Sequence, residues 1–172
     1  MDERRLVEWR RRQSVDDVVE LVAAAQPRVV AIDSPRSCAP AGATHRPDEA
    51  QLRRGVGCGI RWTPPRERLD GNPYYGWIVE GLRLYAALGG MPVQTIECFP
   101  TASWTRWHGP RKGRRRSEWS RAALAGLGLE GVPRVTSQDL RDAIAAAVTA
   151  RAYTHGDYEH FGDIVVPLAS AP

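Results

Sequence analysis

The sequence predicts an α/β domain with a mixed, largely parallel sheet flanked by helices, and three observations support this. Two short apolar runs, RVVAID (28–33) and PVQTIECF (92–99), are rich in β-branched residues and too short to be helices. Segments with helical spacing stand around and between them, the alternation that builds parallel sheets. Each run carries an acid at or near its carboxyl end, Asp33 and Glu97, where sites form in open α/β sheets.

Taken in order, RLVEWRR (5–11) alternates as a short strand would. SVDDVVELVAAA (14–25) reads as a helix: Ser14 and Asp17 form a capping-box pair, Val18, Leu21 and Val22 recur at helical spacing, and Pro27 ends it. The strand at 28–33 follows. Residues 34–74 are a long connection rich in Pro, Gly and Arg, of the kind that is usually functional or mobile. Within it, RPDEAQLRRG (46–55) predicts a two-turn helix, with Pro47 in the first turn, Asp48 and Glu49 at the positive end of the dipole and Gly55 after it. YGWIVEGLRLYAAL (75–88) is the next helix, with Ile78, Leu82 and Tyr85 on one face and Gly89-Gly90 stopping it. The strand at 92–99, a helix at RRSEWSRAALAGL (115–127), a helix at SQDLRDAIAAAVTARAY (137–153) and an extended piece at GDIVVPL (162–168) complete the pass. No internal repeat is present, and 172 residues are most simply one domain.

The composition, 42% hydrophobic and 26% charged, is that of a globular protein. No apolar run approaches the ~20 residues a membrane helix needs. MDERRLVEWRRRQ lacks the apolar core of a secretory signal, and Cys38, Cys58 and Cys98 form no CxxC, which fits a reducing cytoplasm. The four histidines show no metal-binding spacing. The net charge is +4, and Lys112 is the one basic residue that is not arginine. Clusters at 10–12, 53–54 and 111–116 suit phosphates, since the guanidinium fork matches them, and equally suit solvated faces.

The helix at 137–153 raises the sharper question. Asp139 and Asp142 stand three positions apart near its start, where acids meet the positive end of the dipole. The same spacing places both on one face, able to share a cation. Leu140, Ile144 and Val148 form the large apolar face, and Ala143, Ala146 and Ala150 lie toward the acids, so the helix can approach a sheet closely. Taken singly, Asp33 before Ser34-Pro35 can open a turn and Glu97 can pair with a loop arginine. Together the acids predict a carboxylate cluster that a cation would compensate, Mg²⁺ or Mn²⁺ being the natural partners of oxygen ligands.

On these residues the chain resembles domain of unknown function family 429, described as predicted nucleases of the RNase H-like fold. More distantly it is similar to the RuvC-type Holliday junction resolvases. The matching pieces are VVAIDSP (29–35), HRPDEAQLRRGVG (45–57), VQTIECFPTASW (93–104) and QDLRDAIAAAVTA (138–150). The resemblance implies a metal-dependent nuclease, with Asp33, Asp139 and Asp142 binding Mg²⁺ or Mn²⁺ and Glu97 a ligand or orienting acid. Arg36, Arg46, Arg53, Arg54, Arg111, Lys112 and Arg114 would hold the phosphates of DNA or RNA. In RNase H-like nucleases a central first strand supplies a further Asp in a Gly-x-Asp context, and nothing before residue 29 looks like it. The expectation is therefore a domain without its first strands, weak or inactive as given: either the true start lies upstream of Met1, or the chain is a fragmentary or degenerate member. A non-catalytic nucleic-acid-binding or protein-interaction module keeping the fold is the alternative. A phosphate enzyme acting on small molecules is weaker still, because GVGCG (55–59) is poorly placed for a phosphate loop. Membrane partners are not expected, and the sequence leaves a homo-oligomer open.

Overall fold

The computed structural model describes residues 4–169. Its sheet has four strands, β1 (Val29–Ile32), β2 (Gln94–Cys98), β3 (Tyr158–Phe161) and β4 (Ile164–Pro167), in the order β1-β2-β4-β3. The β1–β2 and β2–β4 pairs are parallel and the β3–β4 hairpin is antiparallel, so the α/β architecture with a mostly parallel sheet is as the sequence predicts. Ile32 lies opposite Glu97, which brings the carboxyl ends of β1 and β2 side by side.

Six helices surround the sheet: α1 (Val15–Ala25), α2 (Pro47–Val56), α3 (Gly76–Leu88), α4 (Pro100–His108), α5 (Arg116–Gly126) and α6 (Gln138–His155). Local chemistry sets their ends. Ser14 and Asp17 form the expected capping box at α1, with Ser14 N–H to Asp17 Oδ2 at 2.8 Å and Asp17 N–H to Ser14 Oγ at 3.2 Å. Pro47 opens α2 and Gly57 closes it at φ 72°, a conformation that costs glycine nothing. On α6, Ser137 accepts from the Leu140 N–H at 3.1 Å.

Three apolar clusters hold these elements together. α1 and α3 cover one face through Val22, Tyr85 and Leu88 against Ile32. Because side chains alternate along a strand, Val29 and Ala31 point the other way, toward α6. There Leu140, Ile144 and Val148, the predicted apolar face, pack on Trp104 of α4, on Trp119 and Leu124 of α5, and on Leu127 just after it. A third cluster joins Leu52 of α2, Ala102 of α4, and Ile164 and Val166 of β4. β1 is one of the two outer strands of the sheet. Its outer side borders a groove of about 790 Å³ walled by α1, by Ala143 and Ala147 of α6, and by residues 5–10.

Three expectations need correcting. Residues 5–11 are not a strand: Leu6 donates to the Glu130 carbonyl and Glu130 to the Arg4 carbonyl, both at 2.9 Å, and the pairing stops there. Val7 is 89% exposed, so the alternation has no face to bury against. This crossing needs Gly131, because a Cβ there would lie 2.6 Å from the Leu6 carbonyl oxygen. The helix α4 and the strand β3 were not anticipated. The segment at α4 has buried residues on every side (Ala102, Ser103, Trp104, Thr105), which leaves no stripe to read.

Candidate active-site cleft

A cleft of about 910 Å³ opens at the carboxyl end of β1, and Asp33, Asp139 and Asp142 all line it. Asp33 comes directly after β1, while Asp139 and Asp142 come from the first turns of α6, which packs on β1. More than a hundred residues of sequence separate them, and the sheet and one helix bring them to a common wall. The three differ in how they are held.

Asp33 reaches solvent from a protein-lined recess. That enclosure, reinforced by the negative charge of Asp142 and opposed by Arg116, pushes its carboxyl from 3.8 up to about 7, with Asp139 and Glu97 adding smaller repulsions. Asp139 is exposed, and no hydrogen bond or ion pair engages either of these two side chains among the described residues. Asp142 is buried and both its oxygens are hydrogen-bonded. Its Oδ1 accepts from Trp104 Nε1 and Gln138 Nε2, both at 3.0 Å, and its Oδ2 accepts from an Arg116 NH at 2.9 Å. Arg141, 2% exposed, braces this arrangement by donating to Gln138 Oε1 at 2.9 Å and to Ser120 Oγ at 2.8 Å.

Among the described residues, no group of three or more His, Cys, Asp or Glu side chains is arranged to hold a metal ion. The donors nonetheless suit a hard divalent cation. Mg²⁺ is usually bound by one or two carboxylates, with waters and substrate phosphates completing the octahedron. Asp33 and Asp139 are two carboxylates with no hydrogen bond or ion pair among the described residues, and it is enclosure by protein, more than the charge of Asp142, that raises the Asp33 carboxyl.

Glu97 has a different setting. It is 4% exposed, and Arg46, 2% exposed, grips it with both NH groups, at 2.7 Å to Oε1 and 3.0 Å to Oε2. The Arg36 N–H adds a bond to Oε2 at 2.8 Å. Burial raises the Glu97 carboxyl, and the Arg46 guanidinium and Arg36 amide pull against that. Arg46 also bonds Asp48 at 3.1 Å, which in turn accepts from the Asp163 N–H at 3.0 Å in the β3–β4 turn. Glu49 accepts from the Thr63 N–H and hydroxyl and, at 3.1 Å, from the Arg46 N–H. The sequence RPDE (46–49) thus ties the long connection to the end of β2 and to the hairpin. Arg46, expected on phosphate, has both its NH groups committed inside the protein.

The other predicted cations divide. Arg111 and Lys112 line the cleft. Arg114 braces its rim by bonding the Arg111 carbonyl at 3.0 Å and the Pro110 carbonyl at 2.9 Å. Arg36 lies over Tyr85 at 4.7 Å and bonds Thr95, and Arg53 lies over Trp62 at 5.5 Å. Neither of these, nor Arg54, lines the cleft. Arg61, Arg116, Trp77 and Gln138 do; the arginines of the 36–68 loop and of the 111–116 run were expected on phosphates, and the first two belong to them. Arg116 ends the basic run at 111–116 and was within reach of that signal. Trp77 and Gln138 carry no local signal, because the fold alone brings them to the cleft.

An α/β protein with carboxylates at the strand ends, facing a basic rim, is what fold and cleft define. A family model described as "Protein of unknown function (DUF429)" matches residues 3–165, and the chain belongs to that family. Neither the curated proteins nor the solved structures yield a match to it. No helix among the described residues is long and apolar enough to cross a membrane.

Proposed function

We propose that this protein is a metal-dependent nuclease that hydrolyses phosphodiester bonds in the cleft at the end of β1. The observation that carries the reading is the union, in one cleft, of two open carboxylates, Asp33 and Asp139, with the cations Arg61, Arg111, Lys112 and Arg116. Asp33 and Asp139 would hold Mg²⁺ or Mn²⁺, which when bound polarises a phosphoryl oxygen and activates water. Arg111, Lys112 and Arg61 hold the strand by its phosphates. Arg116 neutralises Asp142 and keeps the α6 carboxylates from repelling an incoming phosphate. Glu97, locked by Arg46, is a positioning residue that fixes the loop after Asp33 through the Arg36 N–H.

A second reading rests on Asp142. With both its oxygens occupied and no three-ligand group formed, the cleft also suits a nucleic-acid-binding module that does not cleave. Incubation with labelled single-stranded, duplex and branched DNA and RNA, with Mg²⁺, Mn²⁺ or EDTA, separates the two. Metal-dependent cleavage that Asp33→Asn abolishes supports the nuclease. Binding without cleavage in either metal favours the module. No binding and no cleavage refutes both.

A further inference from the structure

We infer that Trp77 is a stacking platform for one unpaired base, so that the cleft selects single-stranded nucleic acid over continuous duplex. The inference rests on the nucleic-acid reading of the cleft given above. Trp77 sits in the first turn of α3 and is 45% exposed. It lines both the wide cleft and a small recess of about 50 Å³ beneath it, and Asp33, Ile60, Arg61 and Phe99 border both spaces with it.

The other aromatic rings nearby are already occupied. Trp62 is covered by His45 at 4.7 Å and by Arg53. Trp119 is buried and donates to the Gly109 carbonyl at 3.0 Å. Phe99 packs into the cluster of Leu52 and Ile164. No ring and no guanidinium lies over Trp77 among the described residues, and it is the partly exposed aromatic residue that lines the cleft with Asp33. Every base has a π-face, so a Trp so placed binds bases without reading them.

The dimensions point the same way. About 910 Å³ is within the range of clefts that take a ligand of a few rings, which suits a short length of one strand. A base stacked on Trp77 places its phosphate beside Arg61 and Asp33, and Arg111 and Lys112 lie on the cleft lining to take the next phosphates. A base inside a duplex has both faces covered by the neighbouring pairs, so it cannot meet Trp77 without leaving its stack.

The test is equilibrium binding of fluorescein-labelled oligo-dT, oligo-U and a blunt DNA duplex at low salt in EDTA. Wild type is expected to bind the single strands more tightly than the duplex, and the two single strands separate DNA from RNA. Trp77→Ala should weaken single-strand binding about 5- to 140-fold, the range spanned by loss of one base–aromatic stack. Trp77→Phe should keep most of the affinity, and Trp77→Leu, which preserves apolar bulk, should lose it as Ala does. The salt slope should be unchanged in all three, because no charge is removed, whereas Arg111→Ala should flatten it. Single-strand affinity unchanged in the folded Ala and Leu variants, or duplex preferred by wild type, overturns the assignment and leaves the nucleic-acid reading intact. No binding of any of the three probes by wild type overturns the assignment, and the same result with branched substrates and with Mg²⁺ or Mn²⁺ overturns the nucleic-acid reading with it.

Discussion

Removing Arg46 should destabilise the protein more than the loss of any surface arginine. Arg46→Ala deletes two bonds to Glu97, at 2.7 and 3.0 Å, and leaves the Arg36 N–H as the remaining partner of a carboxylate that is 4% exposed. Leaving one charge of a buried pair uncompensated costs about 3–5 kcal/mol. In a domain of this size each kcal/mol moves the midpoint by roughly 2–4 °C, so thermal melts should show a fall of roughly 6–20 °C. Urea unfolding followed by far-UV circular dichroism gives the free energy directly. The double variant Arg46→Met with Glu97→Leu removes both charges and should recover much of the loss, since two apolar side chains need no partner in the interior. A loss below about 1 kcal/mol in the single variant, or a double variant worse than the sum of the two singles, would refute the buried-pair argument.

Asp33 should make stability fall as pH rises. With its carboxyl raised from 3.8 to about 7 in the folded protein, the native state keeps a proton between those values that the unfolded chain has released, so its contribution declines from about pH 4 to about pH 7. Melting wild type and Asp33→Asn across that window should show the variant gaining relative to wild type as pH increases, and parallel curves would sink the reasoning. Gly81→Ala should cost about 1–3 kcal/mol, because its Cβ would lie 1.9 Å from Ser34 Oγ and 2.4 Å from Ser34 Cβ; adding Ser34→Gly should restore part of the loss in the same melts. Thiol titration of the folded protein should find Cys38 reactive and Cys58 and Cys98 protected. Those two are 6% and 2% exposed, and burial pushes the Cys58 thiol up to about 11; fast reaction of all three would contradict the packing.

Periodicity made the scaffold of the site legible. Leu140, Ile144 and Val148 announced the buried face of α6, and the apolar runs ending in Asp33 and Glu97 announced two parallel strands with acids at one end. The β3–β4 hairpin left a signal that went unused, Gly162-Asp163 between two extended runs, with Gly162 at φ 63°. What stayed hidden depends on contacts between distant residues. Glu97 was readable as the partner of a loop arginine, but nothing near Arg46 says that it is the one, 51 residues away, and an arginine expected on phosphate is interior. Nothing near Asp142 says that Trp104 and Arg116 will occupy it. The alternation at 5–11 was real, but a strand exists only where a neighbour supplies the ladder.

The bonds of RPDE (46–49) also set an order of assembly. Glu49 meets Thr63 across 14 residues, Arg46 meets Glu97 across 51, and Asp48 meets the Asp163 amide across 115. On a ribosome the first two can close once β2 has emerged, whereas the third waits for the β3–β4 turn. Until then β2 lacks its β4 neighbour, and Asp48 has Arg46 but not its amide. Closing the longest loop first would mean losing chain entropy before any contact rewards it, so the hairpin should dock last, onto a nucleus already fastened by Arg46 and Glu97. The slow, aggregation-exposed interval in the life of this chain is therefore the one in which β2 stands with one edge open.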